Sequence, residues 1–219
     1  MSKKLRLGVL ASGNGSNLQA IIDRCREGEL PAEVVLVLSN KSQAGALTRA
    51  RKAGIATLVI DHRDHPERAA FDQAMVAALR NAEVDLVVLA GFMRILTPVF
   101  LEAFPQRIMN IHPALLPAFP GIKAQRKALE YGVKIAGCTV HFVDPGVDSG
   151  PIIIQAAVPV LDDDDETTLS RRILEQEHRI YPEAIQLYAE GRLHIEGRHV
   201  RISPPQKPPL LALLNPPTV

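Results

Sequence analysis

Short apolar runs alternate in the amino-terminal half with segments whose apolar residues recur every three or four positions. LRLGVLA (5–11), VVLVLSN (34–40) and ATLVI (56–60) predict strands. Between the first two, a helix from about Asn17 to Glu27 places Leu18, Ile21, Ile22 and Cys25 on one stripe, and Gly28 ends it. A second helix is predicted from Gly45 to Lys52. A third, from Arg68 to Arg80 with Phe71, Met75, Ala78 and Leu79 inward, feeds the strand VDLVVLAG (84–91). The strands are nearly continuous apolar runs rather than alternating ones, as a parallel sheet covered on both faces requires. The predicted class is therefore α/β, a doubly wound, mostly parallel, Rossmann-like sheet.

After residue 106 the pattern changes. RIMNIHP (107–113) leads into the proline-rich loop LLPAFPG (115–121), then a helix over KAQRKALEYG (123–132). IAGCTVHFV (135–143) and PIIIQAAVPV (151–160) are expected to pair as antiparallel strands across a loop at 144–150. A long helix starts in the acidic run DDDDETTLS (162–170), where an Asp can cap the free amides. Pro182 is expected to kink or restart that helix. A hairpin over residues 193–202 closes the fold, and the segment from Ser203 onward is too proline-dense for regular structure. The expected organisation is one domain over 1–202, with a phosphate-binding half (1–106), a catalytic half (107–202), and a mobile tail over 203–219.

Charge narrows the partners. Among 219 residues, 25 Lys and Arg nearly balance 24 Asp and Glu, so no strong field favours nucleic acid or an anionic membrane. Small-molecule substrates remain. Cys25 and Cys138 lie far apart without ligand spacing and read as packing residues in a reducing compartment. The amino terminus has too short an apolar run for a signal peptide, and no stretch approaches the ~20 apolar residues of a membrane helix. These features read as a cytoplasmic protein.

Three segments carry candidate chemistry. SGNGSNL (12–18) joins the first strand to the first helix, where Gly13 and Gly15 allow a tight turn and Asn14, Ser16 and Asn17 offer donors beside free helix amides. That suits a phosphate, or serves simply as a strand-to-helix turn. It matches neither the dinucleotide fingerprint nor the triphosphate loop. In NIHPALLP (110–117), Asn110 and His112 are two residues apart at a strand end and so face one side. An amide donor beside an imidazole fits acyl transfer to an amine, stabilising a tetrahedral oxyanion and shuttling protons. VDPGVDSGPI (143–152) holds Asp144, read as a turn former, and Asp148, which near His112 would orient it and favour the imidazolium. AGFMRIL (90–96) lies at the carboxyl edge of a strand, where open α/β sheets bind ligands. Phe92, Met93, Ile95 and Leu96 form an apolar slot for a flat heterocycle with Arg94 at its mouth, or else the core of a short helix. The remaining histidines show no metal-ligand spacing, so no metal is inferred.

Taken together, SGNGSNL, GFMRIL, NIHPALLP, DSGP and QEHRIYP (176–182), in this order, resemble the phosphoribosylglycinamide formyltransferases, folate-dependent enzymes of purine synthesis. The likeness covers about residues 5–200. It implies the formyltransferase fold and direct transfer of formyl from 10-formyltetrahydrofolate to the amine of glycinamide ribonucleotide, in a monomer or homodimer. By the same resemblance, Gly15, Ser16 and Asn17 hold the ribonucleotide phosphate and Glu177 its ribose or amine side. Without it, Glu177 reads as a solvated mid-helix charge. Arg68, Met93, Arg94, Ile95, Leu96, Asn110, Asp144 and Val147 hold the folate, while Asn110, His112 and Asp148 form the catalytic set. Lys123 and Gln125 stand where many bacterial members carry histidines; Lys123 can still offer charge to a phosphate. A formyltetrahydrofolate hydrolase, a methionyl-tRNA formyltransferase and a non-catalytic sensor are the alternatives. The first two are expected to need extra domains, and the intact catalytic set argues against the third.

Overall fold

A computed structural model of the chain describes residues 3–205 and Asn215. It divides into two compact units, Met1–Asn110 with Phe142–Pro145, and Ile111–His141 with Gly146–Val219.

In the first unit, β1 (Leu5–Leu10), α1 (Ser16–Arg26), β2 (Ala32–Ser39), α2 (Gly45–Lys52) and β3 (Ala56–Val59) follow the predicted alternation. A 3-10 turn at His62–Asp64 precedes α3 (Arg68–Asn81), β4 (Leu86–Leu89), α4 (Pro98–Ala103) and β5 (Ile108–His112). The strands pair in parallel in the order β3-β2-β1-β4-β5. Contacts join α1 to α2 and α3 to α4, the pairing expected when right-handed crossovers run outward from β1 in one direction and return from β4 in the other. The order reverses between β1 and β4, and their carboxyl ends form a switch point at which open sheets bind ligands. Leu10, Leu38, Phe71, Met75, Leu79, Val87 and Phe100 fill the core on the α3 side.

In the second unit, α5 (Ala124–Tyr131) precedes the antiparallel pair β6 (Ile135–Phe142) and β7 (Ile152–Pro159). The long helix α6 (Glu166–Ala189) packs on β7 and α5. Asp165 caps it through a reciprocal box with Thr168, at 2.7 and 3.0 Å. Pro182 does not restart the helix, contrary to expectation. It lies inside an unbroken α6 and is buried, as are Tyr181, Ala184 and Ile185, so apolar burial along this stretch is set against the ~3 kcal/mol that an interior proline costs. The hairpin of β8 (Leu193–Glu196) and β9 (His199–Ile202) forms as predicted, turning at Gly197–Arg198, and β9 also meets β7 through Ile152 and His199. Most of the expected mobile tail, including LLALL, lies outside the described residues. Within it, Asn215 donates to the carbonyls of Lys134 (2.6 Å) and Val160 (2.8 Å). Among the described residues no helix is long and apolar enough to cross a membrane.

Candidate active site

The first unit's switch point carries two of the predicted ligand loops. After β1, Gly15 adopts φ 80°, and a side chain there would press to 2.6 Å from Ala46 Cα, so the turn admits only glycine without displacing α2. Gly15 supplies no side-chain cap and the first turn of α1 has no acidic residue to offset the positive end of the helix. Asn14 accepts from Arg49 through its Oδ1 (2.8 Å) and its carbonyl (2.9 Å). After β4, residues 91–96 form a loop rather than the alternative short helix; α4 begins only at Pro98. Its four apolar residues split. Met93 and Ile95 are 64% and 57% exposed, whereas Phe92 and Leu96 turn into the core. Arg68, at the start of α3, donates to the Ile95 carbonyl (3.0 Å), and buried Asp72 accepts from Thr97 N (2.6 Å) and Oγ1 (2.7 Å).

The second unit assembles an imidazole and carboxylate cluster. Asp148 Oδ2 lies 3.3 Å from His112 Nδ1 and accepts from Gly121 N at 2.8 Å. Its Oδ1 lies 3.8 Å from Nε2 of His141, a buried residue that sequence reasoning passed over. His112 Nε2 meets the Phe119 carbonyl at 2.9 Å, so the ring has an acceptor at each nitrogen. The doubly protonated imidazolium can donate to both; either neutral tautomer to only one. The loop at 113–120 is stiffened by more than its prolines. Thr139, fully buried, accepts from Leu116 N (3.0 Å) and donates to the Ala114 carbonyl (2.7 Å), while Gln155 donates to Leu116 O (2.9 Å). A cavity of about 220 Å³ opens beside Asp148, lined by Leu116, Pro117, Val147, Ser149 and Arg198. Asn110 precedes His112 by two residues on β5, on the same side of the strand.

The chain matches the family model described as formyl transferase over residues 5–185. It is 44% identical over 205 residues to the phosphoribosylglycinamide formyltransferase of Escherichia coli, covering 94% of this chain and 97% of that protein. The chain belongs to the phosphoribosylglycinamide formyltransferase family. A solved structure of glycinamide ribonucleotide transformylase 1 from Symbiobacterium toebii superposes with TM-score 0.91 at 60% identity, covering 92% of this chain and 95% of that one. The chain is also 50% identical over 191 residues, 86% of its length, to the trifunctional purine biosynthetic protein adenosine-3 of Drosophila melanogaster. It spans only 14–20% of the length of such trifunctional relatives.

Among the other candidate residues of this formyltransferase family member, Ser16 and Asn17 open α1, Asn17 being buried. Glu177 is 7% exposed on α6, not the solvated charge that its sequence position suggests. It helps push the Cys138 thiol up to about 12, after burial, the larger cause. Cys25 is pushed up to about 11, chiefly by burial, so both thiols stay protonated packing groups. Val147 is exposed, while Arg94 and Asp144 are half-buried. Lys123 is the N-cap of α5, exposed and in a left-handed conformation, and Gln125 lies two residues on, half-buried. Among the described residues no three His, Cys, Asp or Glu side chains converge as a metal-binding group.

Proposed function

We propose that this chain transfers the formyl group of 10-formyltetrahydrofolate to the amine of glycinamide ribonucleotide, in the cytoplasm, with residues 1–202 as the formyltransferase domain. The observation that carries the mechanism is the 3.3 Å approach of Asp148 Oδ2 to His112 Nδ1, with Asn110 two residues before His112 on β5. The substrate amine attacks the formyl carbon directly, and charge develops on the formyl oxygen. The Asn110 amide and the His112 imidazolium stabilise that oxyanion. To reach it, His112 Nε2 exchanges the Phe119 carbonyl for the substrate oxygen. Asp148 holds the ring through Nδ1 and balances its positive charge. As the tetrahedral centre collapses, the bond from carbon to the folate nitrogen breaks, and the proton lost by the amine passes to that nitrogen, leaving tetrahydrofolate.

Binding follows the same residues. Gly15, Ser16 and Asn17 present the α1 amides to the ribonucleotide phosphate, and buried Glu177 contacts the ribose or amine side. Arg68, Met93, Arg94, Ile95, Leu96, Asn110, Asp144 and Val147 hold the folate. Transfer of a ¹³C-labelled formyl group tests this reading: the label should appear on the glycyl nitrogen of the ribonucleotide. Label found only in free formate would replace transfer by hydrolysis.

A further inference from the structure

At the first unit's switch point one hydroxyl joins the two ligand loops. Ser12, 5% exposed, donates its hydroxyl to Asn40 Oδ1 at 2.7 Å. The same oxygen accepts from Met93 N at 2.9 Å, and Ser12 N donates to the Gly91 carbonyl at 3.0 Å. Asn40, 2% exposed, is backed in turn by His62, whose Nδ1 lies 3.5 Å from its Nδ2. The loop after β4 is fixed at its other end by Thr97 on Asp72 and by Arg68 on Ile95 O. The loop after β1 is fixed downstream by Arg49 on Asn14 and by Ala46 N on Gly13 O (3.1 Å). With both outer ends held, a shift of Ser12 is passed straight to the backbone of Met93, whose side chain projects from the loop.

We propose that Ser12, aimed by Asn40, is a positioning residue that couples the two loops, so that ribonucleotide phosphate at residues 15–17 and folate at residues 91–96 each strengthen binding of the other. This rests on the binding roles given under Proposed function. A serine that only satisfied a buried strand end would stabilise the fold without linking the ligands. The donor and acceptor roles of its hydroxyl are instead divided between Asn40 and the loop that carries Met93. Two loops that share one buried hydroxyl cannot order independently, and the ordering achieved by the first ligand is not required again for the second.

Calorimetric titration of the intact chain tests this, using glycinamide ribonucleotide and tetrahydrofolate, each alone and with the other saturating. In the parent, each ligand should tighten the other by at least about fivefold, equally in both orders, as linkage demands. Ser12→Ala should bind ribonucleotide alone within about threefold of the parent, yet lose the mutual tightening to within about twofold. Asn40→Ala should reduce the coupling in the same direction, and Asn40→Asp, which keeps an acceptor for the hydroxyl, should retain it. If Ser12→Ala does not fold, as judged by its melting transition, the two Asn40 variants decide the matter alone. Coupling unchanged in the loss variants, or a parent that binds both ligands independently, overturns the proposal and leaves the site assignment standing. A parent that binds neither ligand overturns the site assignment, and this proposal with it.

Discussion

Replacing Asp148 by Asn removes one negative charge and almost nothing else. Asp148 has φ 50°, a left-handed conformation that Asn tolerates nearly as well as Asp, so the loop need not move. The Asn oxygen can keep the Gly121 amide and face His112, with its NH₂ toward His141. What is lost is the field on the imidazolium. At the observed 3.3 Å, opposite unit charges attract by about 5 kcal/mol for an effective dielectric constant of ~20, which sets a ceiling. If the charge acts mainly as the oxyanion forms, the loss should resemble removal of one oriented oxyanion donor, about 3–4 kcal/mol, and kcat should fall ~10²- to 10³-fold. Initial rates across both substrate concentrations, with melting curves, read out the split. Both KM values should stay within a few-fold, and Tm should shift by only a few degrees. A kcat within about fivefold of the parent, or equal losses in kcat and in both affinities, would show that the Asp148 charge does not act on the transition state.

Thr139→Val keeps the volume but removes the hydroxyl that bonds the Leu116 amide, the Ala114 carbonyl and Gln155; Leu116 N keeps the Ala114 carbonyl (3.1 Å) and Gln155 keeps Leu116 O (2.9 Å), so stability should fall by about 1–3 kcal/mol in a denaturant titration. A change under 0.5 kcal/mol would show that water replaces the hydroxyl. Gly15→Ala combines a left-handed alanine with overlap on Ala46; it should lose about 2–4 kcal/mol of stability and weaken ribonucleotide binding more than folate binding. Asp164, bonded by Arg172 at 2.6 and 2.9 Å, is held down to about 2, its first cause being that side-chain hydrogen bond. Its folded pKa is depressed, so its contribution is present above the unfolded value near 4 and fades as pH falls from about 4 to 2. Asp164→Asn should therefore be less stable than the parent at pH 7 and converge on it near pH 2, and a pH-independent difference in melting temperature would contradict this.

The doubly wound half was legible because its strands are continuous apolar runs and its helices carry clear stripes; α2 lies where its pattern predicted. Periodicity says which residues are buried in an element, but not what a buried polar group meets there. Asp72, Thr139 and Glu177 were opaque for that reason: each sits on an element of ordinary pattern, and only a partner distant in sequence, such as Thr97 for Asp72 or Leu116 for Thr139, reveals its use. His141 was missed inside the apolar strand IAGCTVHFV, although a histidine at a strand end was the same signal that singled out His112. In GFMRIL no helical or strand period applies, so four apolar residues read as one slot, whereas the backbone turns two of them into the core. Pro182 misled in the other direction, because a local rule yielded to the packing of α6 on β7.

Release of tetrahydrofolate from 10-formyltetrahydrofolate by the purified chain, followed with and without glycinamide ribonucleotide, separates formyl transfer from hydrolysis. Release is expected only when the ribonucleotide is present, one formylated amine appearing for each tetrahydrofolate. Equal release in its absence would contradict formyl transfer.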